Sequence, residues 1–218
     1  MIEISKGKEP RELLEYRKQP FASYADMPSA LKQKVVQSLL SEQGYLCAYC
    51  MCKIGDTNKK HPATIEHCIP QSGSDEKDRL NYRNMVAVCW GNRDAHKNSD
   101  KSCDAKRGSL PHEQQNMKVL NVFDGRTLSE IEYKSDGTIC SKNPNADEDL
   151  NTRLNLNCEA RRLKECRRQA LAALHNEIDK KYPDRNVPRD YFQKLLTYYS
   201  ENKKPYCGIM IAWLRKKI

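Results

Sequence analysis

The chain has 218 residues, 38% of them hydrophobic and 31% charged, a composition that can bury a core and that excludes wholesale disorder. An apolar run near the end, Ile209 to Leu214, is far shorter than the roughly 20 residues that a membrane span needs. The charged segment 1–10 lacks the apolar core of a secretion signal, so we expect a cytoplasmic protein with no membrane partner.

The formal net charge of +9 resides in the C-terminal part of the chain. Residues 1–149 contain 22 basic and 22 acidic residues, whereas residues 150–218 contain 16 basic and 7 acidic ones. Such an asymmetry favours contact with a polyanion, nucleic acid above all. A basic helix that is simply solvated is the alternative.

The first predicted elements are a helix and a hairpin. Apolar residues recur with the helical period from Pro28 to Gln43 and the pattern stops at Gly44, which predicts a helix. The knuckle Cys47-Ala-Tyr-Cys50 follows, then turn residues 53–58 and a predicted strand from Ala63 to Ile69. The outline is that of a β-hairpin.

The middle of the chain is predicted to hold an exposed loop and a meander. Segment 81–89 contains an apolar run that fits either a helix or a strand. Segment 91–102 is so polar that we expect an exposed loop. Between residues 117 and 140, Asp124-Gly125 and Asp136-Gly137 separate short alternating runs. Asp-Gly pairs in this setting are typical of hairpin turns, so the pattern predicts a small antiparallel meander.

The C-terminal part of the chain is predicted to be helical. Apolar spacing predicts a long amphipathic helix from Leu150 to Lys181 and shorter ones over 189–200 and 208–217. These elements divide the chain into an N-terminal helical segment 1–44, a core 45–112, a meander region 113–145 and a basic helical region 146–218.

Ten cysteines in a reducing compartment indicate metal ligands or small core residues rather than disulfides. Cys47 and Cys50 have the spacing of half a zinc site, and Cys89 and Cys103 can complete four thiolates if the polar segment between them loops out. The alternative is that Cys89 is merely buried and Cys103 is a surface thiol. Two rival ligands stay open, Cys52 and Cys68.

Glu66 and His67 lie side by side at the end of the predicted strand. A carboxylate can bind a hard divalent ion, and an imidazole can take a proton from water near neutral pH. Without its surroundings, the pair is more typical of an exposed acid beside a satisfied surface histidine.

Those surroundings resemble the HNH nuclease family, whose ββα-metal motif is often framed by four zinc cysteines. The motifs that carry the resemblance are the C-x2-C knuckle, Thr64-Ile-Glu-His-Cys-Ile-Pro-Gln-Ser72, Asn84-Met-Val-Ala-Val-Cys89 and Cys103-Asp-Ala-Lys-Arg-Gly108. The usual ending has Asn or His where Asp104 stands and Lys where Arg107 stands. Thirteen residues separate Cys89 from Cys103, where two are usual.

Further segments are similar to the HNH subunit of the Septu and retron anti-phage defence systems, so the resemblance covers nearly the whole chain. They are Lys6–Pro10, Leu14–Arg17, Leu40–Cys50, Leu154–Asn157 and Tyr206–Ile211. In that family the nuclease works with an ABC-type ATPase, and in retron forms with a reverse transcriptase and its RNA–DNA product. The resemblance implies an α+β fold, with a zinc-stabilised ββα-metal core, an N-terminal helix, a small meander and C-terminal helices.

The resemblance also implies a role for each matching residue. His67 is the expected general base, Glu66 a ligand of a catalytic divalent ion such as Mg²⁺, and Asn84 the asparagine that orients the histidine loop. Asp104 is the expected third-position ligand, and Asn92 and His96 are its rivals. The zinc ion is expected to be structural, because four thiolates leave no open position.

Four basic residues are expected to meet nucleic acid. Lys106 and Arg107 follow the last zinc cysteine, and Arg161 and Arg168 belong to the basic cluster 161–168. Duplex DNA, single-stranded DNA and an RNA such as a tRNA stay open as substrates. The competing classes are a non-catalytic zinc-ribbon module that binds nucleic acid or the ATPase, and a structural interaction subunit.

Overall fold

The computed structural model describes residues 1–55, 61–71 and 74–218. Within these ranges the chain forms nine α-helices and two antiparallel two-stranded sheets, so the predicted α+β class is confirmed. The helices are α1 (Arg11–Tyr16), α2 (Ser29–Gln43), α3 (Glu76–Arg79), α4 (Cys103–Arg107), α5 (Gly125–Ser129), α6 (Pro144–Glu148), α7 (Leu163–Lys181), α8 (Arg189–Glu201) and α9 (Cys207–Arg215). The strands are β1 (Thr64–His67), β2 (Met85–Val88), β3 (Ile131–Tyr133) and β4 (Ile139–Ser141). Ser72 of the histidine motif and residues 56–58 of the predicted turn lie outside the described residues.

Helix α2 forms where the apolar spacing predicts it. Pro28 precedes its first turn, and the chain leaves the helix through Gly44 at φ 63°, a left-handed conformation that glycine adopts without a Cβ penalty. The buried stripe of the helix consists of Leu31, Val35, Leu39 and Leu40. This stripe packs α2 against the first sheet.

The first sheet pairs β1 with β2, with Thr64 opposite Val88 and His67 opposite Met85. All four residues of β2 are buried. The buried side-chain amide of Gln43 donates to the Ala87 carbonyl and accepts from the Ala87 N–H, both at 2.7 Å. A side chain therefore satisfies backbone groups that a third strand would otherwise pair.

The hairpin predicted over 45–69 is only half correct. The strand is present as β1, but its partner is β2, and the knuckle segment contributes only the bridge between Leu46 and Lys53. The knuckle turns too tightly to extend as a strand, because the Cys47 N–H donates to the Cys52 carbonyl at 2.9 Å.

The predicted meander is wrong in its first half. Asp124-Gly125 begins a helix rather than a turn, since the Asp124 carboxylate accepts from the Arg126 N–H and caps α5. Residues 118–120 form no strand, because their N–H groups all donate to the Asp149 carboxylate at 2.9 Å. Asp136-Gly137 does form a hairpin turn, between β3 and β4.

The long C-terminal helix begins at Leu163 and not at Leu150. A π-helical turn spans Asp149–Arg153, and an irregular segment follows it. In that segment the Leu154 carbonyl accepts from the Cys103 N–H at 2.7 Å, and the Asn157 side chain bonds the N–H and C=O of Ile139. These long-range bonds use groups that a continuous helix would need. Helices α8 and α9 are confirmed within two residues of their predicted ends.

The buried apolar residues form two clusters. The larger one includes residues from each of the four predicted segments, for example Leu39, Val88, Ile139 and Leu150. The smaller cluster lies among α7, α8 and α9. The four segments thus share a core, and their boundaries stay a prediction. Among the described residues, no helix is long and apolar enough to cross a membrane.

We predict that Asp149→Ala lowers the free energy of unfolding by about 3 kcal/mol, because three backbone N–H groups lose a buried charged acceptor. Asp149 is 0% exposed. Urea unfolding followed by circular dichroism measures the effect, with the exposed Glu159→Ala as the control. A loss below about 1 kcal/mol would contradict the role of Asp149 in holding segment 118–120.

Candidate metal centre and the residues around it

Four buried cysteines from three parts of the chain converge. Cys47 and Cys50 belong to the knuckle, Cys89 follows β2, and Cys103 begins α4. Their sulfur atoms all lie within 4.8 Å of one another. The Sγ–Sγ distances are 3.9 Å for Cys47–Cys103, 3.7 Å for Cys50–Cys89 and 3.8 Å for Cys89–Cys103.

These distances suit a tetrahedral metal ion. Sulfur atoms at about 2.3 Å from a central zinc ion lie about 3.8 Å apart when the geometry is tetrahedral. The four predicted ligands can therefore hold a metal ion such as zinc. The rivals Cys52 and Cys68 are not part of this four-sulfur group in the described ranges.

The long insertion between Cys89 and Cys103 is closed at its base. The Ser102 N–H donates to the Gly91 carbonyl at 2.9 Å. Gly91 has φ 66°, and a Cβ there would lie 2.3 Å from the Ser102 carbonyl oxygen, so only glycine fits. This pinch brings the two cysteines together despite the thirteen residues between them.

The insertion is otherwise an exposed loop, as predicted, with a 3₁₀ turn at Asn98–Asp100. The Asn155 amide donates to the carbonyls of Ser99 and Lys101, both at 2.8 Å. The C-terminal part of the chain therefore holds the loop in place.

Arg161 contacts the cysteine cluster instead of facing solvent. Two of its guanidinium nitrogens lie 3.7 Å from Cys89 Sγ, and one lies 3.4 Å from Ser102 Oγ. Arg161 is half-buried, and its expected contact with nucleic acid stays a prediction. A guanidinium beside a thiolate compensates the negative charge that four sulfur ligands place on a divalent ion.

Two other arginines of the basic cluster, Arg167 and Arg168, form bonds within the protein. Arg167 is buried and donates to the carbonyls of Gly137 and Leu156 and to the Asn157 side chain. Arg168 is exposed but pairs with Glu165 at 2.8 Å. The cluster therefore does not present one continuous cationic face, and the nucleic-acid role of Arg168 stays a prediction.

His67 lies at the end of β1 and is only 2% exposed. Its Nε2 is 2.9 Å from the Arg79 carbonyl oxygen, which can only accept, so Nε2 carries the proton. Its Nδ1 therefore accepts from the Gln71 amide at 3.1 Å. Burial lowers the pKa of His67, which favours the neutral form that a general base needs.

Glu66 is held by an internal arginine. Arg107 forms a buried ion pair with the Glu66 carboxylate, and the Tyr49 hydroxyl lies 3.3 Å from the same oxygen. Arg107 also donates to the carbonyls of His67, Cys68 and Gln115 at 2.7–3.0 Å. Because Arg107 is 3% exposed and its donors are used inside the protein, the prediction that it meets phosphates is wrong.

Asp104 is the predicted third-position residue that lies beside Glu66. Burial and the Asp104 carboxylate both raise the pKa of Glu66 well above its ordinary value, with Arg107 acting in the opposite direction. Asp104 also forms an ion pair with Arg93 of the insertion. Of the rivals, Asn92 donates to the Asp100 carbonyl at 3.0 Å and His96 is exposed.

Asn84 bridges the ends of the segment that follows His67. Its side-chain oxygen accepts from the Ile69 N–H at 2.7 Å, and its amide donates to the carbonyls of Ile69 and Asp78. Asn84 therefore joins the two ends of segment 69–78, and the role of orienting the histidine loop that the resemblance implies stays a prediction. Lys106 is half-exposed on α4, and its contact with phosphate stays a prediction.

Two neighbours of His67, Tyr24 and Gln71, have no role in the sequence-based prediction. The Tyr24 ring meets the imidazole edge-on, with centroids 4.5 Å apart, and the Gln71 amide occupies Nδ1. Burial, together with the charges of Asp104 and Glu66, raises the pKa of Tyr24 to about 12. Tyr24 is remote in sequence and belongs to no motif, so only the fold reveals it.

No protein-family model matches this chain, and no curated protein sequence matches it.

We predict one zinc ion per chain in the purified protein, held by the four cysteines. Cys50→Ser removes one ligand and is expected to lose the zinc ion, whereas Cys140→Ser, in β4 and outside the four-cysteine group, keeps it. Elemental analysis of the two variants measures the stoichiometry. Equal zinc contents would contradict the assignment.

We also predict that Arg161→Leu speeds the loss of zinc to a chelating dye by roughly tenfold, because the thiolates lose a charged partner. Arg168→Leu is the matched control, since it removes the same charge from an exposed site. Identical release rates for the two variants would show that Arg161 does not stabilise the metal centre.

Proposed function

We propose that this protein is a metal-dependent endonuclease of the HNH type, which hydrolyses phosphodiester bonds of nucleic acid. The observation that carries the proposal is the meeting of Glu66 and His67 from β1 with Asp104 from α4. The order of an antiparallel ribbon followed by a short helix matches the ββα-metal arrangement that the sequence resemblance implies.

The carboxylates fit a hard divalent ion. Mg²⁺ prefers oxygen ligands, and the adjacent Glu66 and Asp104 side chains offer them. When bound, such an ion neutralises the phosphate and stabilises the departing oxygen. Arg107 pairs with Glu66 and Arg93 pairs with Asp104, and Arg93, at 42% side-chain exposure, can turn outward to a phosphate.

The protein's own residues supply the base and its orientation. The Arg79 carbonyl fixes the imidazole tautomer, so the lone pair of His67 is on Nδ1. Gln71 covers that lone pair with an exposed side chain, and its rotation admits the attacking water. His67 then takes the proton from this water, while Asn84 keeps the loop from moving.

The cysteine cluster has a structural role in this proposal. Four thiolates leave a zinc ion no open position, so the ion joins the knuckle, the end of β2 and the start of α4 without taking part in hydrolysis. The elements it joins are too short to hold their geometry alone: β2 has four residues and α4 has five.

We further propose that the nuclease acts in anti-phage defence with an ABC-type ATPase, and in retron forms with a reverse transcriptase and its RNA–DNA product. The support is the similarity of the segments given above. Two of these segments are internal: Lys6 bonds Glu42 and the Met85 carbonyl, and residues 207–211 are buried. They therefore support a shared fold more directly than a shared partner.

A non-catalytic zinc module is the second candidate, and two contacts favour it. Glu66 is neutralised by Arg107, and both ring nitrogens of His67 are hydrogen-bonded. A binding module, however, gains nothing from a buried imidazole next to Glu66 whose pKa favours the neutral form. Cleavage measurements separate the two candidates.

We predict that His67→Ala lowers the cleavage rate by at least a hundredfold, because the attacking water loses its base. His112→Ala is the matched control, since His112 is exposed in a 3₁₀ turn and bonds none of the site residues. The assay incubates the protein, alone and with its ATPase, with duplex DNA, single-stranded DNA and tRNA, with and without Mg²⁺.

Thermal unfolding and zinc content accompany this assay, because His67 is buried and its loss can weaken folding. A folded, zinc-loaded His67→Ala variant that cleaves at the wild-type rate would overturn the nuclease proposal. Absence of cleavage by wild type under all these conditions would favour the binding module.

A further inference from the structure

A second group of exposed cations lies at the C-terminal end of α7, opposite the basic cluster 161–168. Residues 180–218 contain ten basic residues and three acidic ones. Seven exposed basic residues lie at the end of α7, at or before the start of α8, and at the end of α9. They are Lys180, Lys181, Arg185, Arg189, Arg215, Lys216 and Lys217. We call this group the C-terminal basic end.

Contacts between the helices bring these residues together. Lys181 at the end of α7 lies 4.2 Å from the ring centre of Tyr191 in α8. Arg189, which begins α8, donates to the carbonyl of Ile218 after α9. The end of α7, the start of α8 and the end of α9 therefore form one surface.

Aromatic rings lie between the cations. Tyr182 and Tyr191 have ring centres 5.0 Å apart, and Lys217 lies 5.0 Å from the centre of the Trp213 ring. All three rings are half-buried. Cations placed over aromatic rings keep their charge on the surface while their stems cover apolar atoms.

Acidic residues offset only part of this charge. Glu177, Asp179, Asp184 and Asp190 are the exposed acids of the same region. Glu177 accepts from the Tyr199 hydroxyl at 3.0 Å, and Asp184 is bonded to Asn186. Seven exposed cations against four carboxylates leave an excess of positive charge. Arg168, by contrast, has its own carboxylate in Glu165.

We propose that the C-terminal basic end binds the sugar–phosphate backbone of nucleic acid, independently of base sequence. Separate cations on three helix ends suit a chain of regularly repeated phosphates, and the half-buried rings leave apolar surface against which unpaired bases can pack. The surface is formed by residues other than those around His67. It would hold a strand without cutting it, and its action does not depend on the proposed hydrolysis.

Binding of short labelled oligonucleotides, followed by fluorescence anisotropy across a salt series without added divalent ions, tests the proposal. The strands are single-stranded DNA, single-stranded RNA and duplex DNA. The test variant is Lys181→Glu with Lys217→Glu. The matched control is Arg11→Glu with Lys18→Glu, which makes the same charge change at exposed positions in and just after α1.

We expect the test variant to bind more weakly and to lower the slope of log affinity against log salt by about 0.9 per lost contact for duplex DNA and about 0.7 for single strands. The control variant is expected to keep most of the wild-type slope. Circular dichroism verifies that both variants are folded.

Equal losses in the test and control variants, or no loss in either, would overturn the proposal. Competition by polyglutamate as effective as that by unlabelled oligonucleotide would also overturn it, in favour of an acidic protein partner. His67→Ala is expected to bind with the wild-type slope. A failure of the nuclease proposal thus leaves this result unchanged, and the two can be told apart.

Discussion

The geometry of the candidate site depends on the meeting of four thiols. Cys47 and Cys50 come from a tight knuckle, Cys89 from the end of β2, and Cys103 from the first turn of α4. The cysteines bring the five-residue α4 to the end of the four-residue β2, and the ion pair of Arg107 with Glu66 holds α4 against β1. Because Asp104 directly follows Cys103, the meeting of the thiols also sets the position of its carboxylate beside Glu66.

Arginine in this protein is used mainly for internal bonding. Arg107 joins Glu66 to three backbone carbonyls, Arg167 joins the β3–β4 turn to the segment before α7, and Arg161 contacts Cys89. The planar guanidinium has five donors, so it can satisfy several carbonyls where irregular backbone is buried. Segments without regular structure, such as 154–162, can thereby lie against the core.

Buried acidic residues also bond internal groups of the protein. Asp149 is 0% exposed and accepts three N–H groups from residues 118–120, which replaces a strand by a carboxylate-bound loop. Glu66 and Asp104 differ from it, since each faces an arginine and the other carboxylate. Two like charges side by side are costly unless a cation or proton lies between them. Two neighbouring carboxylates make Glu66 and Asp104 a candidate site for a divalent ion, whereas an ordinary buried ion pair has only one.

Short-range patterns in the sequence determined several elements and candidate residues of this protein. The period of α2, the C-x2-C spacing and the Glu66-His67 pair are readable in the sequence because each depends on neighbours within a few residues. The sequence also predicted the group of four cysteines that could hold a metal ion, since a long polar insertion must loop out between Cys89 and Cys103.

Only the tertiary structure decided which charges face inward. The basic cluster at 161–168 looks like a cationic helix face, yet the helix begins at Leu163, and Arg161 and Arg167 bond to groups far away in sequence. Tyr24 reaches His67 for the same reason. Hydrogen bonds over such separations depend on the packed fold, and no local preference encodes them.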